Sequence, residues 1–149
     1  MKKITYSAAA CALALVLSTA QAHAGPVGPG EECGGKGTVS DLRVLGHTAT
    51  DTGPITLDVD RTTRLEMDYR PAHSHATTQL RVRTEGAFGT FVYARGSIGA
   101  VQAGALYTVT HEMAPSSLMA GQNVDVRIHV TGDNTTWEAC VRLDVRITG

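Results

Sequence analysis

From Val124 to the C-terminus the chain alternates apolar and polar residues almost without interruption, and no other feature limits its fold as strongly. Val124, Val126, Ile128 and Val130 share one side of the first run, with Asp125, Arg127 and His129 on the other. In the second run Val141, Leu143, Val145 and Ile147 oppose Arg142, Asp144 and Arg146. A period of two is the signature of a strand with one dry and one wet face. Gly132-Asp133-Asn134 supplies the turn between the runs. A sheet with one apolar face must be covered, and a second sheet is the natural cover.

Further strand candidates precede this pair. They are Val39 to Leu45, Ile55 to Val59, Arg64 to Tyr69, Gln79 to Thr84, Thr90 to Arg95 and Leu106 to Thr110. Asp51-Thr52-Gly53-Pro54 marks a turn, and the glycine-rich stretch Gly96 to Gly104 is expected to separate two strands. No run of ten or more residues carries the 3.6 period of a helix. Seven or eight short strands with turn signals between them predict an all-β, immunoglobulin-like antiparallel sandwich of two sheets.

The first 24 residues fall outside that fold. Lys2 and Lys3 precede an apolar run from Ala8 to Leu17, and the stretch closes Ala22-His23-Ala24. This is the pattern of a secretory signal peptide cleaved before Gly25, so residues 25–149 form the single expected domain. The apolar run is too short to span a bilayer, so no stable membrane insertion is expected. The product is predicted to be secreted, extracellular or periplasmic.

Cys33 and Cys140 are the cysteines that remain, and in an exported protein they are expected to pair. The leader Gly25 to Gly37 is read as an irregular segment that carries Cys33 to its partner. Cys140 has the opposite parity to Val141, so its sulfur is expected on the outer face of the sheet. The net charge of −1 is small and mixed in origin, which gives no basis for nucleic-acid binding.

His73-Ser74-His75 is the one close pair of histidines, and two imidazoles at i and i+2 could share a metal ion with His47, His111 or His129. The surrounding Arg70-Pro71-Ala72 and Ala76 read as a loop, where solvated histidines are ordinary, so no metal and no other cofactor is assigned. Acid pairs such as Asp58 and Asp60, or Glu66 and Asp68, lie beside Arg61, Arg64 and Arg70 and are expected to form cross-strand ion pairs. Gly96-Ser97-Ile98-Gly99 lacks the spacing of a nucleophile elbow, and no enzymatic activity is predicted.

The order of features carries a resemblance. Cys33-Gly34-Gly35 opens the domain, ahead of Thr38 to Val44 and Thr63 to Tyr69. Gly104-Ala105-Leu106-Tyr107, the long run Gln122 to Asp133, and Ala139-Cys140-Val141 follow. This resembles the ML, or lipid-recognition, family of secreted sandwiches, which includes the mite group 2 allergens and the Niemann-Pick type C sterol carriers. The resemblance implies a bond between the first and last cysteines, and two sheets that splay to admit a lipid or other hydrophobic small molecule. Two further disulfides usual in the family have no counterpart here. Under this resemblance the expected lining is Leu65, Met67, Leu80, Val82, Phe91, Tyr107, Val109, Val126, Ile128, Val141 and Leu143. The alternative is a structural or adhesive module, a filled sandwich that engages another protein through its surface or edge strands.

Overall fold

A computed structural model describes residues 26–46 and 54–149. The expected signal segment, His47 and the Asp51 to Gly53 part of the turn lie outside the described residues. In chain order the strands are β1 (Pro26–Val27), β2 (Gly30–Gly34), β3 (Thr38–Val44), β4 (Ile55–Asp58), β5 (Thr63–Arg70), β6 (His75–Gly86), β7 (Gly89–Val101), β8 (Tyr107–Met113), β9 (Asn123–Thr131) and β10 (Trp137–Thr148). Single 3-10 turns occur at Ser117–Met119 and Asp133–Thr135.

The alternation in the last third of the chain produces β9 and β10, which pair antiparallel with Val141 opposite Ile128 and Leu143 opposite Val126. They lie inside a large sheet ordered β1-β2-β10-β9-β6-β7, and β4 also pairs with β10. The second sheet is β3-β5-β8. Inward residues of β6, β9 and β10 meet those of β3 and β5, so that Val82, Val126, Val141 and Leu143 form one buried cluster with Leu42, Val44, Leu65 and Met67. Full burial of each such side chain contributes about 1.5–3 kcal/mol before conformational entropy is counted. The predicted two-sheet sandwich is therefore the fold, with one parallel pairing, β4 on β10, added to it.

Two expectations are corrected. The leader is not irregular beyond Val27: Glu32 lies opposite Val141 and Gly34 opposite Cys140, because the edge of β10 left free by β9 offers unpaired backbone groups that the leader satisfies. The stretch from Gly96 is not a linker either, since β7 continues through it to Val101. An edge strand paired on one side to β6 needs backbone more than side chains, so Gly96 and Gly99 are tolerated there.

Cys33 and Cys140 are bonded, with Cα atoms 5.0 Å apart and 107 residues between them in sequence. Cys140 stands opposite His129 while Val141 stands opposite Ile128, so the two neighbours face opposite sides as their parity requires. Cys33 is the extra residue between Glu32 and Gly34 where the register of β2 shifts. The bridge thus lies outside the core and fixes the N-terminal strand to the C-terminal one. We expect reduction to lower stability by about 2–4 kcal/mol, read as a shift of the urea midpoint with unchanged β-sheet circular dichroism.

Candidate functional site

The two sheets end on strands that are not bonded to each other, β7 in the large sheet and β8 in the small one. Between them lies a cleft of about 380 Å³ lined by Leu80, Ala94, Gly96, Ile98, Val109 and Thr110, with Arg95, Ser97, Thr108 and His111 at the remaining positions. This is within the range of small-molecule pockets. Alternation explains the lining: Leu80 opposes Gly96, and Val82 opposes Ala94, so both β7 residues face inward. Behind the cleft, Leu65, Met67, Leu80, Val109 and Ile128 enclose a gap with no room for a water molecule. His111 is half-buried, and that burial holds its pKa below the ordinary value against the opposing pull of Glu112.

Of the residues expected to line an inter-sheet site, Leu65, Met67, Leu80, Val109 and Ile128 come together here. Val82, Val126, Val141 and Leu143 lie deeper in the packed cluster, Val82 at 0% exposure. Tyr107 packs near Tyr69, with ring centroids 5.9 Å apart, and its hydroxyl accepts from the Gln102 N–H at 2.8 Å. Phe91 is 46% exposed on β7, opposite Thr84, and is not part of the cleft lining. Ala94 and Ile98 escaped the sequence reading because β7 lacks the bulky alternation that marks a buried strand, and Thr110 on β8 because a threonine carries no apolar signal.

A second group of chemically active side chains lies elsewhere. Glu138 is 0% exposed, and its carboxylate accepts from Ala72 N at 2.7 Å, His73 Nδ1 at 3.0 Å and His75 Nε2 at 2.7 Å. His75 is buried at the start of β6 and is not a solvated loop residue; only His73 is exposed. The three ligand-type atoms of His73, His75 and Glu138 lie within 4.8 Å of one another. The hydrogen bonding argues against a metal centre. The Asp133 N–H donates to His75 Nδ1 at 3.1 Å, so the proton must be on Nε2, the nitrogen that would have to face an ion. The imidazole also packs against Gly132, where a Cβ would collide with the ring. The cluster is a polar clasp that ties the loop before β6 to the start of β10. His111 on the cleft and His129 on the outer sheet face do not converge with it.

The acidic pairs are partly accounted for by ion pairing. Arg43 reaches Asp68 at 2.7 Å, Asp41 at 2.6 Å and Glu66 at 3.3 Å, and its hydrogen bonds hold the Asp68 carboxyl below its usual range.

No family model matches the chain, and no curated protein sequence matches it. The fold nevertheless has solved counterparts. A Niemann-Pick type C2 protein from the Japanese carpenter ant superposes with a TM-score of 0.68 at 9% identity, over 80% of this chain and 98% of that one. The C-terminal domain of Wzt superposes with a TM-score of 0.55 at 11% identity, over 78% of this chain and 75% of that one. The likeness to the ant protein bears out, at the level of fold, the sandwich that the resemblance implied.

The clasp predicts a particular pH response. Burial would raise the Glu138 pKa, but the hydrogen bonds from His75, Ala72 and His73 together bring it below the ordinary 4.5. A carboxylate whose folded pKa is depressed adds stability above its unfolded value and loses it as pH falls through the folded one. We expect Glu138→Ala to destabilise by about 1–3 kcal/mol at pH 7, since it strips a buried imidazole of its partner. Chemical denaturation from pH 7 to 3 should show a shallower acid loss in the variant than in the parent.

Proposed function

We propose that this is an exported carrier that shields the apolar part of a lipid or acyl-chain ligand in the cleft between β7 and β8, without chemistry. One observation carries the reading: the seam between the sheets is open, and its apolar wall of Leu80, Ala94, Ile98 and Val109 leads directly to the inter-sheet core at Leu65, Met67 and Ile128. Because β7 and β8 share no ladder, parting them there breaks no hydrogen bonds between those strands. An incoming chain gains about 0.8 kcal/mol for each methylene removed from water, against the cost of displacing core contacts. The fold likeness to the ant Niemann-Pick type C2 protein supports a ligand-binding sandwich in general and does not bear on the position of the site. His111 is accompanied on the cleft wall by no carboxylate or thiol, so the reading includes no catalytic step.

Export rests on the signal-like residues 1–24, and the Cys33–Cys140 bond suits an oxidising compartment. A matched pair of enlargements tests the site. Ala94→Phe occupies cleft volume and should weaken displacement of a fluorescent fatty-acid probe while leaving the ligand-free melting temperature nearly unchanged. Val82→Phe overpacks a filled core and should cost about 1–3 kcal/mol of stability. Failure of the parent protein to bind the probe, with no lipid found by native mass spectrometry after purification, would overturn the carrier reading in favour of an interaction module.

A further inference from the structure

The same alternation that points Leu80 and Val82 into the core points Arg81 and Arg83 outward, onto the opposite face of the large sheet from the cleft. His129 on β9 stands opposite Arg81, and Trp137 on β10 stands opposite Thr131. Arg81, Arg83, His129, Thr131 and Trp137 enclose a pocket of about 30 Å³. That exceeds what a single water needs and suits one small chemical group.

Three observations indicate what that group is. The Arg81 side chain has no ion pair or hydrogen bond among the described residues, and Arg83 comes only within 3.8 Å of Glu85. His129 is 6% exposed, yet its Nε2 is buried without a hydrogen-bond partner. Such a nitrogen is costly to leave unsatisfied in a folded protein, and its neighbours here are guanidiniums. Trp137 packs edge-on to His129 with centroids 4.9 Å apart and stays 50% exposed, so one wall of the pocket is an accessible indole. Charge excludes a cation, and two guanidiniums disfavour a purely apolar occupant. Guanidinium donors match the several acceptor lone pairs of an oxyanion.

We propose that this pocket binds an oxyanion group, a carboxylate, sulfate or phosphate, through Arg81, Arg83 and His129. The groups that bear on His129 are Arg81, Arg83 and Glu85 on β6 and Arg127 on its own strand: burial first, then Arg83, Arg127 and Arg81, hold its pKa below the ordinary value against the opposing pull of Glu85. Binding an anion beside the ring reverses that balance. The site lies on the outer face and does not depend on the carrier reading.

Trp137 is the single tryptophan of the chain, so its fluorescence reports this pocket directly. Inorganic phosphate and sulfate are titrated at ionic strength held constant with sodium chloride, and His129 is followed by NMR across pH. We expect a saturable fluorescence change and a rise in the His129 pKa. Arg81→Gln and Arg83→Gln should each weaken binding by about tenfold or more, as loss of a charge-assisted contact implies. Arg146→Gln, at the opposite end of β10, should change nothing, and Ala94→Phe should leave the response intact while blocking the cleft. Vesicles of phosphatidylcholine with and without phosphatidylglycerol separate the two sources of the anion. A response to free phosphate assigns a soluble ligand, and a response confined to the anionic vesicles, abolished by Arg81→Gln, assigns a lipid headgroup. The proposal is overturned if neither arm saturates, if sodium chloride alone gives the same change, or if both arginine variants respond like the parent.

Discussion

Everything else in the molecule hangs on the pairing of β10. Its twelve residues are bonded along one side by β9, and the other side is divided between the leader strand β2, opposite Cys140 to Arg142, and β4, parallel to Val145 to Thr148. A strand so occupied has nearly every backbone donor and acceptor satisfied, so it can be buried without the cost of orphaned polar groups. It also gathers the long-range ties: the bond to Cys33, the Glu138 clasp to residues 72–75, and contacts of Gly35 and Gly37 at its first residues. Gly35, with φ of +118°, passes so close to the Glu138 carbonyl that a side chain there would have to displace the backbone. The first and last strands of the described residues are thereby held on or beside one strand.

The cleft lies at the other end of the sheets, for a geometric reason. The large sheet runs out at β7 and the small sheet at β8, and neither supplies the other with a ladder. Exposed edges invite pairing with other chains, and β7 meets that hazard with three register shifts against β6, with Gly96 and Gly99, and with Arg95. Those devices keep the strand irregular and thin, and a thin strand cannot fill the seam beside it. The cleft is thus the consequence of protecting an edge next to an apolar core.

How much of this was legible follows from which contacts are local. The period-two stripes of β5, β9 and β10 fixed core residues there and the side of Cys140, because parity is a property of one strand. Leu65, Met67, Leu80, Val109 and Ile128 were readable as inward for the same reason, but parity alone cannot separate a residue at the seam from one in the packed middle. Val82 and Leu80 share a face two residues apart, and only the position of β8 makes one a cleft residue and the other filled core. Glu138 left no mark in the sequence as the partner of His73 and His75, since more than sixty residues separate them and only the β10 pairing brings them together. The leader was misread because strand β2 is made by β10's open edge and not by its own pattern.

His75 and His129 show how similar burial can have opposite meanings. At His75 both ring nitrogens are matched, Nδ1 by the Asp133 N–H and Nε2 by Glu138, so the imidazole is complete within the fold and has nothing left to offer a ligand. At His129 one nitrogen is buried with nothing to bond, and the charges around it include Arg81, whose side chain is unpaired among the described residues, and Arg83, only weakly paired to Glu85. A stable fold has no reason to keep the second arrangement, because an apolar residue at position 129 would remove the penalty. The satisfied histidine therefore belongs to the architecture, whereas the unsatisfied one lies on the face proposed to take an oxyanion.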